Sequence, residues 1–267
     1  MSRHLRWLAC VLMGASAAIL AAGRPSAAQP APAITVAAAA DLQAALPEVA
    51  SRFQRDTGAI VKLSFGSSGN LFSQIQNGAP FDVFLSADMD YPRQLVASGH
   101  AEANSLYEYA SGRVVLWTRN DSGIDLRNGL AVLNDSRVRR IAIANPAHAP
   151  YGRAAVAALR HEKLYEAVQG KLVLGENVSQ AAQFVESGNA DAGIIALSLA
   201  LGPALRARGT YVPIPTAAHA PIRQAGVVIS ASRNKPTALQ FIAYLKRPEI
   251  MQMLERFGLH PPQAAGR

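Results

Sequence analysis

Cysteine is almost missing from this chain of 267 residues: there is one, Cys10. That excludes a disulfide framework and any zinc or iron–sulfur centre built on several thiolates. Charged residues make up 16% and aromatic residues 6%, too few for a charged tail or an aromatic-studded nucleic-acid surface. Beyond about residue 23 no run approaches the roughly 20 apolar residues that span a bilayer. No His-x-x-x-His or His-Glu-x-x-His pair offers a helical metal site, and the Gly-x-Ser-x-Gly elbow and the Gly-x-x-x-x-Gly-Lys phosphate loop are absent as well. Six dispersed His and one hydrophilic Asp82/Asp88 pair, read as turn and helix caps, call for no catalysis. Hydrophobic residues, by contrast, reach 50%, which is too many for a disordered chain. The length suits one large domain or two modest ones with a core that needs no staples.

The first thirty residues read as a secretion signal. Arg3 and Arg6 precede an uncharged apolar run from Trp7 to Ala22, and small residues follow, with Ser26-Ala27-Ala28 or Ala31-Pro32-Ala33 at a cleavage site. Residues 1–28 are taken as the signal peptide. Cys10 stands at the start of the apolar run rather than after it, which argues against a lipoprotein and leaves the mature chain without cysteine. The formal net charge is +8; losing Arg3, Arg6 and Arg24 and no acid brings it to +5. That charge is scattered. Its one local run, Arg137-Val138-Arg139-Arg140, has no interleaved aromatics and reads as a solvated face, not a nucleic-acid interface.

Two series of strand–helix units follow. Ile34–Ala39, Ile60–Phe65 and Phe81–Leu85 read as strands. The spacing of Leu42, Leu46, Val49, Ala50 and Phe53 predicts a helix opened by Asp41 as N-cap and stopped at Gly58, and Leu71 and Ile75 mark another. The second series has strands at 113–118, 141–144, 172–174 and 192–195 and helices at 151–159 and 178–186. A strand at 225–230 and helices at 236–244 and 249–257 close the chain. This pattern predicts α/β lobes built on mostly parallel sheets flanked by helices. No Gly/Pro/Ser-rich linker divides the two series, so the lobes are expected to exchange strands.

Several strands end in a small or hydroxyl residue that begins a helix: Ala40-Asp41, Ser67-Ser68, Tyr151-Gly152 and Asn177-Val178. In parallel α/β sheets the carboxyl ends of the strands face a crevice where ligands sit. A first helical turn leaves backbone N–H groups unpaired at the positive end of the macrodipole. Several such ends aimed at one spot trap an anion without a charged side chain.

The motifs Ile34-Thr-Val-Ala-Ala-Ala-Ala-Asp-Leu42, Gly66-Ser-Ser-Gly69, Asn77-Gly-Ala-Pro-Phe-Asp-Val-Phe-Leu-Ser-Ala-Asp88 and Asn145-Pro-x-x-Ala-Pro-Tyr-Gly152, with Glu176-Asn-Val178 and Gly193-Ile-Ile195, resemble the periplasmic molybdate-binding proteins of ABC transporters. The likeness spans about residues 34–260. It implies a two-lobe periplasmic-binding-protein fold of type II with the oxyanion in the interlobe cleft, lobe I being 34–110 plus 221–267 and lobe II 111–220. It implies a periplasmic, monomeric, non-enzymatic protein that captures molybdate, and tungstate with it, for an ABC permease and its ATPase. The ion brings its own oxygens, so no cofactor and no side-chain metal ligand is implied. Carried over by position, the pocket falls on Ala40, Asp41, Ser68, Tyr151 and Val178. Ser68 would give hydroxyl and backbone N–H, Tyr151 backbone N–H and phenol, and Val178 backbone N–H alone. Ala196 stands where other members place a Tyr.

Asp41 departs from the family, which carries Ser or Asn there. An ionised carboxylate about 4 Å from an anion at an effective dielectric near 20 costs on the order of 4 kcal/mol. Two arrangements relieve this. Either the side chain caps its own helix and faces away, or it is held protonated or takes a proton from the ligand. The last of these would favour another, phosphate-like protonated oxyanion on the same fold.

Overall fold

The computed structural model describes residues 31–262; the signal peptide expected at 1–28 lies outside them. Ten strands form two five-stranded sheets. They are β1 (Ala33–Ala39), β2 (Ile60–Gly66), β3 (Val83–Ser86), β4 (Tyr107–Gly112), β5 (Val114–Arg119), β6 (Ile141–Ala144), β7 (Leu172–Gly175), β8 (Ala192–Ala196), β9 (Gly209–Pro213) and β10 (Ile222–Val228). The helices are α1 (Leu46–Thr57), α2 (Ser68–Gln76), α3 (Asp90–Ala97), α4 (Pro150–His161), α5 (Tyr165–Val168), α6 (Val178–Glu186), α7 (Leu197–Ala200), α8 (Pro203–Arg206), α9 (Lys235–Leu245) and α10 (Pro248–Arg256). None of the described helices is long and apolar enough to cross a membrane.

The first sheet runs β2-β1-β3-β10-β4 and the second β7-β6-β8-β5-β9. In each, four strands run in one direction and one runs against them: β10, between β3 and β4, in the first sheet, and β5, between β8 and β9, in the second. β4, β5, β9 and β10 carry the crossovers between lobes. β4 passes into β5 through Arg113 alone, and β9 returns to β10 through residues 214–221. The chain thus crosses twice, the build of a type II binding-protein fold.

Alternation explains the first sheet. Ile34, Val36 and Ala38 pack on one face with α1, α9 and α10, while Ala37 joins Leu71, Phe84 and Leu95 on the other. Both faces of β1 are covered, so every position but Thr35 is apolar, as in a buried parallel strand. Phe53 of α1 is fully buried and meets Phe241 and Tyr244 of α9 edge-on, with centroids 5.1 Å away in each case. In the second sheet Trp117, Leu116, Ile143 and Ile194 anchor the core.

Three expectations need correction. The helix predicted from Asp41 is a 3-10 turn, Ala40–Gln43, followed by α1. Pro47 sits in the first turn of α1, and the residue before a proline is disfavoured in the middle of a helix. Asp41 is not an N-cap; that place belongs to Ala39, and no side chain bonds there. The strands β4 and β9 were not foreseen: both lie at sheet edges and lack a continuous apolar run.

Register positions the cleft. β1 and β2 end level at the pair Ala39 and Gly66, and β6 and β7 end level at Ala144 and Gly175. The helix starts that follow therefore open side by side in each lobe. Replacing Phe53 by Ala is expected to lower the unfolding free energy by about 3–5 kcal/mol, the cost of a large cavity with its lost contacts, read as a shift of the urea midpoint.

Candidate functional site

The junctions meet around one small cavity. Its wall is formed by Ala39–Asp41, Gly66–Ser68 and Ala87 from the first lobe and by Ala149–Tyr151 and Asn177–Val178 from the second. The empty space is no more than about 190 Å³, room for one small ion. No Lys, Arg or His lines it. All five residues singled out from the sequence, Ala40, Asp41, Ser68, Tyr151 and Val178, lie on this wall.

The helix starts leave few donors over. In α2, Gly69 N–H donates to His148 O at 2.9 Å, Asn70 N–H to Ser67 Oγ at 3.4 Å and Leu71 N–H to Ser67 O at 3.0 Å. Only the amide of Ser68 is left, and the N-cap is Ser67 rather than Ser68. In α4, Pro150 has no N–H, and Gly152 and Arg153 both donate to Ala149 O, at 3.0 and 3.1 Å. Tyr151 N–H remains. In α6, Gln180 N–H donates to Asn177 Oδ1 and Ala181 N–H to Asn177 O, leaving Val178 and Ser179. A first-turn amide has no acceptor inside its own helix. The Ser68 hydroxyl accepts Ala87 N–H at 2.9 Å, so its own proton is free to donate. The wall therefore offers uncharged donors from both lobes to an acceptor between them. Gly152 makes α4 fit: a Cβ there would fall on the Ala144 carbonyl at the end of β6.

Asp41 is completely buried. Its Oδ2 accepts from Gln224 Nε2 at 2.6 Å and from Tyr151 Oη at 3.1 Å, while Oδ1 has no partner. The carboxyl thus neither caps a helix nor leaves the cleft. Tyr151 turns its phenol to Asp41 and Gln224, 3.1 Å from each, and its backbone stays on the wall. Burial pushes the Asp41 carboxyl up to about 6 against the opposing pull of the Gln224 and Tyr151 hydrogen bonds. The same burial, with the Asp41 charge nearby, raises the Tyr151 and Tyr109 phenols well above their ordinary range.

Several functional neighbours escaped the sequence. Gln224 is a lone buried amide inside β10, and Tyr109 of β4 lies 2.9 Å from its Oε1. Ser198 Oγ of α7 donates to Asp41 O at 2.7 Å. His148 accepts Gly69 N–H on its carbonyl and holds Ser67 Oγ at 2.8 Å from Nδ1. Arg153 pairs with Asp88 at 2.6 Å, and Asn70 Nδ2 donates to Glu176 at 3.1 Å. All of these bonds but the Tyr109–Gln224 one, the Ser67–His148 pair included, run from one lobe to the other and hold a closed arrangement. None has a local sequence signal, because each partner is tens of residues away or more.

Two lobes hinged on paired strands and closed over a pocket of neutral donors are the build of a binding protein, not of an enzyme. The chain belongs to the bacterial extracellular solute-binding proteins, whose family model matches residues 34–260. Among its relatives, the molybdate-binding protein ModA of Azotobacter vinelandii is 40% identical over 239 residues, 90% of this chain and 94% of its own length. ModA of Rhodobacter capsulatus is 35% identical over 225 residues, 84% of this chain and 87% of its own. Among solved structures, the periplasmic molybdate-binding protein of Azotobacter vinelandii superimposes with a TM-score of 0.81 at 35% identity, covering 86% of this chain and 100% of that one. The sulfate-binding protein SubI of Mycobacterium tuberculosis H37Rv shares the fold, with a TM-score of 0.72 at 17% identity over 88% of each chain.

A Cβ on Gly69 would lie 2.6 Å from Tyr91 Oη, 2.7 Å from His148 O and 2.8 Å from His148 Cβ. The two His148 contacts vanish when the lobes part. Gly69→Ala is expected to shift the population towards open molecules, seen as a larger radius of gyration by small-angle scattering with unchanged helix content. A second expectation concerns Asp41. Its carboxyl titrates near 3.8 when unfolded and at about 6 when folded, so the folded state binds the proton more tightly. Stability contributed by that proton is full below about pH 4 and lost as pH rises through 6. Relative to Asp41→Asn, the wild type should lose about 2 kcal/mol between about pH 4 and 7, measured by urea denaturation at each pH.

Proposed function

We propose that this chain is the extracytoplasmic solute-binding component of an ABC importer, capturing molybdate and, with it, tungstate. The observation that carries the reading is the donor accounting. In α2 and α4 a single first-turn amide is left unpaired, in α6 two, and Ser68, Tyr151 and Val178 bring such amides to one cavity from opposite lobes. A tetrahedral dianion loses much solvation on burial. Amides and a hydroxyl replace that shell, since hydrogen bonds to charged acceptors are about twice as strong as neutral ones. Because the donors belong to both lobes, the full shell exists only when the lobes are closed, and closure is what the membrane permease reads. The metal stays inside its own four oxygens, so no side chain ligates it. The molybdate-binding relatives at 40% and 35% identity support the choice of ion. Residues 1–28 act as a cleaved signal that delivers a monomeric chain to the periplasm.

Thermal shifts with molybdate, tungstate, sulfate and phosphate test the choice of ion. Molybdate and tungstate should raise the melting temperature selectively, because a ligand of the native state stabilises it by mass action; heat with phosphate or sulfate and none with molybdate would defeat the reading. Ser68→Ala removes one charge-assisted donor, worth about 1.5–3 kcal/mol. Calorimetry should show affinity for molybdate falling roughly ten- to a hundredfold.

A further inference from the structure

A pocket of neutral donors has no use for an acceptor-only group, yet the Asp41 carboxyl stands on its wall. Its surroundings decide which of its oxygens is free. Gln224 turns its Oε1 to the Tyr109 phenol, 2.9 Å away, and its Nε2 to Asp41; the phenol also lies 3.1 Å from Ser86 O. Gln224 Nε2 and Tyr151 Oη both donate to Oδ2. Oδ1 is buried and has nothing. Proton placement follows: the oxygen that accepts two donors is the carbonyl, and the unpartnered one is the hydroxyl.

The other titratable and charged groups around Asp41 do not neutralise it. From α4 comes the Tyr151 phenol and from β4 the Tyr109 phenol, neither of which ionises in the range of a carboxyl. From the segment after β3 comes Asp88, whose charge is matched by Arg153 at 2.6 Å. β10 and α7 present the neutral Gln224 and Ser198, and α2 and α6 present Ser68 and Val178. No cation forms an ion pair with Asp41 among the described residues.

We infer that Asp41 enters the loaded site as the neutral acid, its Oδ1–H donating to the oxyanion, so that capture of each dianion takes up one proton from solvent. The inference rests on the reading of this cavity as an oxyanion site. The balance is simple: one solvent proton joins the carboxylate, and no bond of the anion is made or broken. Protonation turns the one repulsive group on the wall into a further donor. The carboxyl already titrates high because it is buried, and a dianion beside it raises it further. By linkage, binding that takes up a proton weakens as pH rises, by about tenfold per unit once the free carboxyl is ionised.

The test is calorimetric titration of the protein with sodium molybdate in two buffers of different ionisation heat at about pH 7.5. Wild type should take up close to one proton, with Kd rising about tenfold per unit between about pH 7 and 8.5. Asp41→Asn, which keeps the shape and offers a permanent donor, should take up none, show a flat profile and bind at least tenfold tighter than wild type at about pH 8. Molybdate binding by the wild type with no proton exchange overturns the inference and leaves the assigned function standing; this count needs no variant. A pH slope retained in Asp41→Asn overturns it too. Phosphate heat with wild type alone, and none with molybdate, would mean that an ionised Asp41 accepts a proton from the ligand, and would overturn both.

Discussion

A backbone N–H removed from water has to find an acceptor, and the closed cleft is organised by that demand. Around the cavity most first-turn amides are spoken for: by an N-cap side chain in Ser67 and Asn177, by the carbonyls of Ser67, Ala149 and Asn177, and across the cleft by His148 O. The amides left over, chiefly those of Ser68, Tyr151 and Val178, are few and lie on one wall. An anion is the partner that would complete the set. Affinity of this kind needs no cation, which avoids the cost of burying a second charge. It also explains why the wall is otherwise so plain, made of Ala39, Ala40, Ala87 and Ala149: small side chains let backbone approach the ion.

The sheets hold these ends in place. Level strand endings at Ala39 and Gly66, and at Ala144 and Gly175, put the helix starts of each lobe side by side. The chain passes between the lobes twice, through Arg113 and through residues 214–221. Both hinge strands of the first sheet also support Asp41, since Tyr109 of β4 donates to Gln224 of β10, which donates to the carboxyl. The polar cluster under Asp41 is therefore anchored on the hinge itself and ends on Tyr151 of the opposite lobe. In the closed molecule the Tyr151 bond and the burial of the carboxyl go together.

Much of this was legible in the residues. Buried strands announced themselves as short apolar runs: 141–144 is observed as read, and the helix at 178–186 likewise. The β4 and β9 edges were not legible because a half-exposed strand has no periodic apolar signal; Tyr107–Gly112 mixes Glu, Ser and Gly with two Tyr. Pro47 stands inside an otherwise helical pattern and divides it into a 3-10 turn and α1. The five wall residues were found through family resemblance and through the strand-to-helix pattern. Gln224, Tyr109, Ser198 and His148 were not, because a lone polar residue in a strand or loop looks like any other until its distant partner is in place.

Local chemistry alone determined the elements: which segments bury both faces, where small and hydroxyl residues end strands, and that a carboxyl stands where a neutral side chain is expected. Period and propensity act over a few neighbouring residues and can be read along the chain. Tertiary structure alone decided what that carboxyl is. Asp41 meets Tyr151 from 110 positions away and Gln224 from 183, and only the folded, closed molecule removes the water that would otherwise keep it ionised.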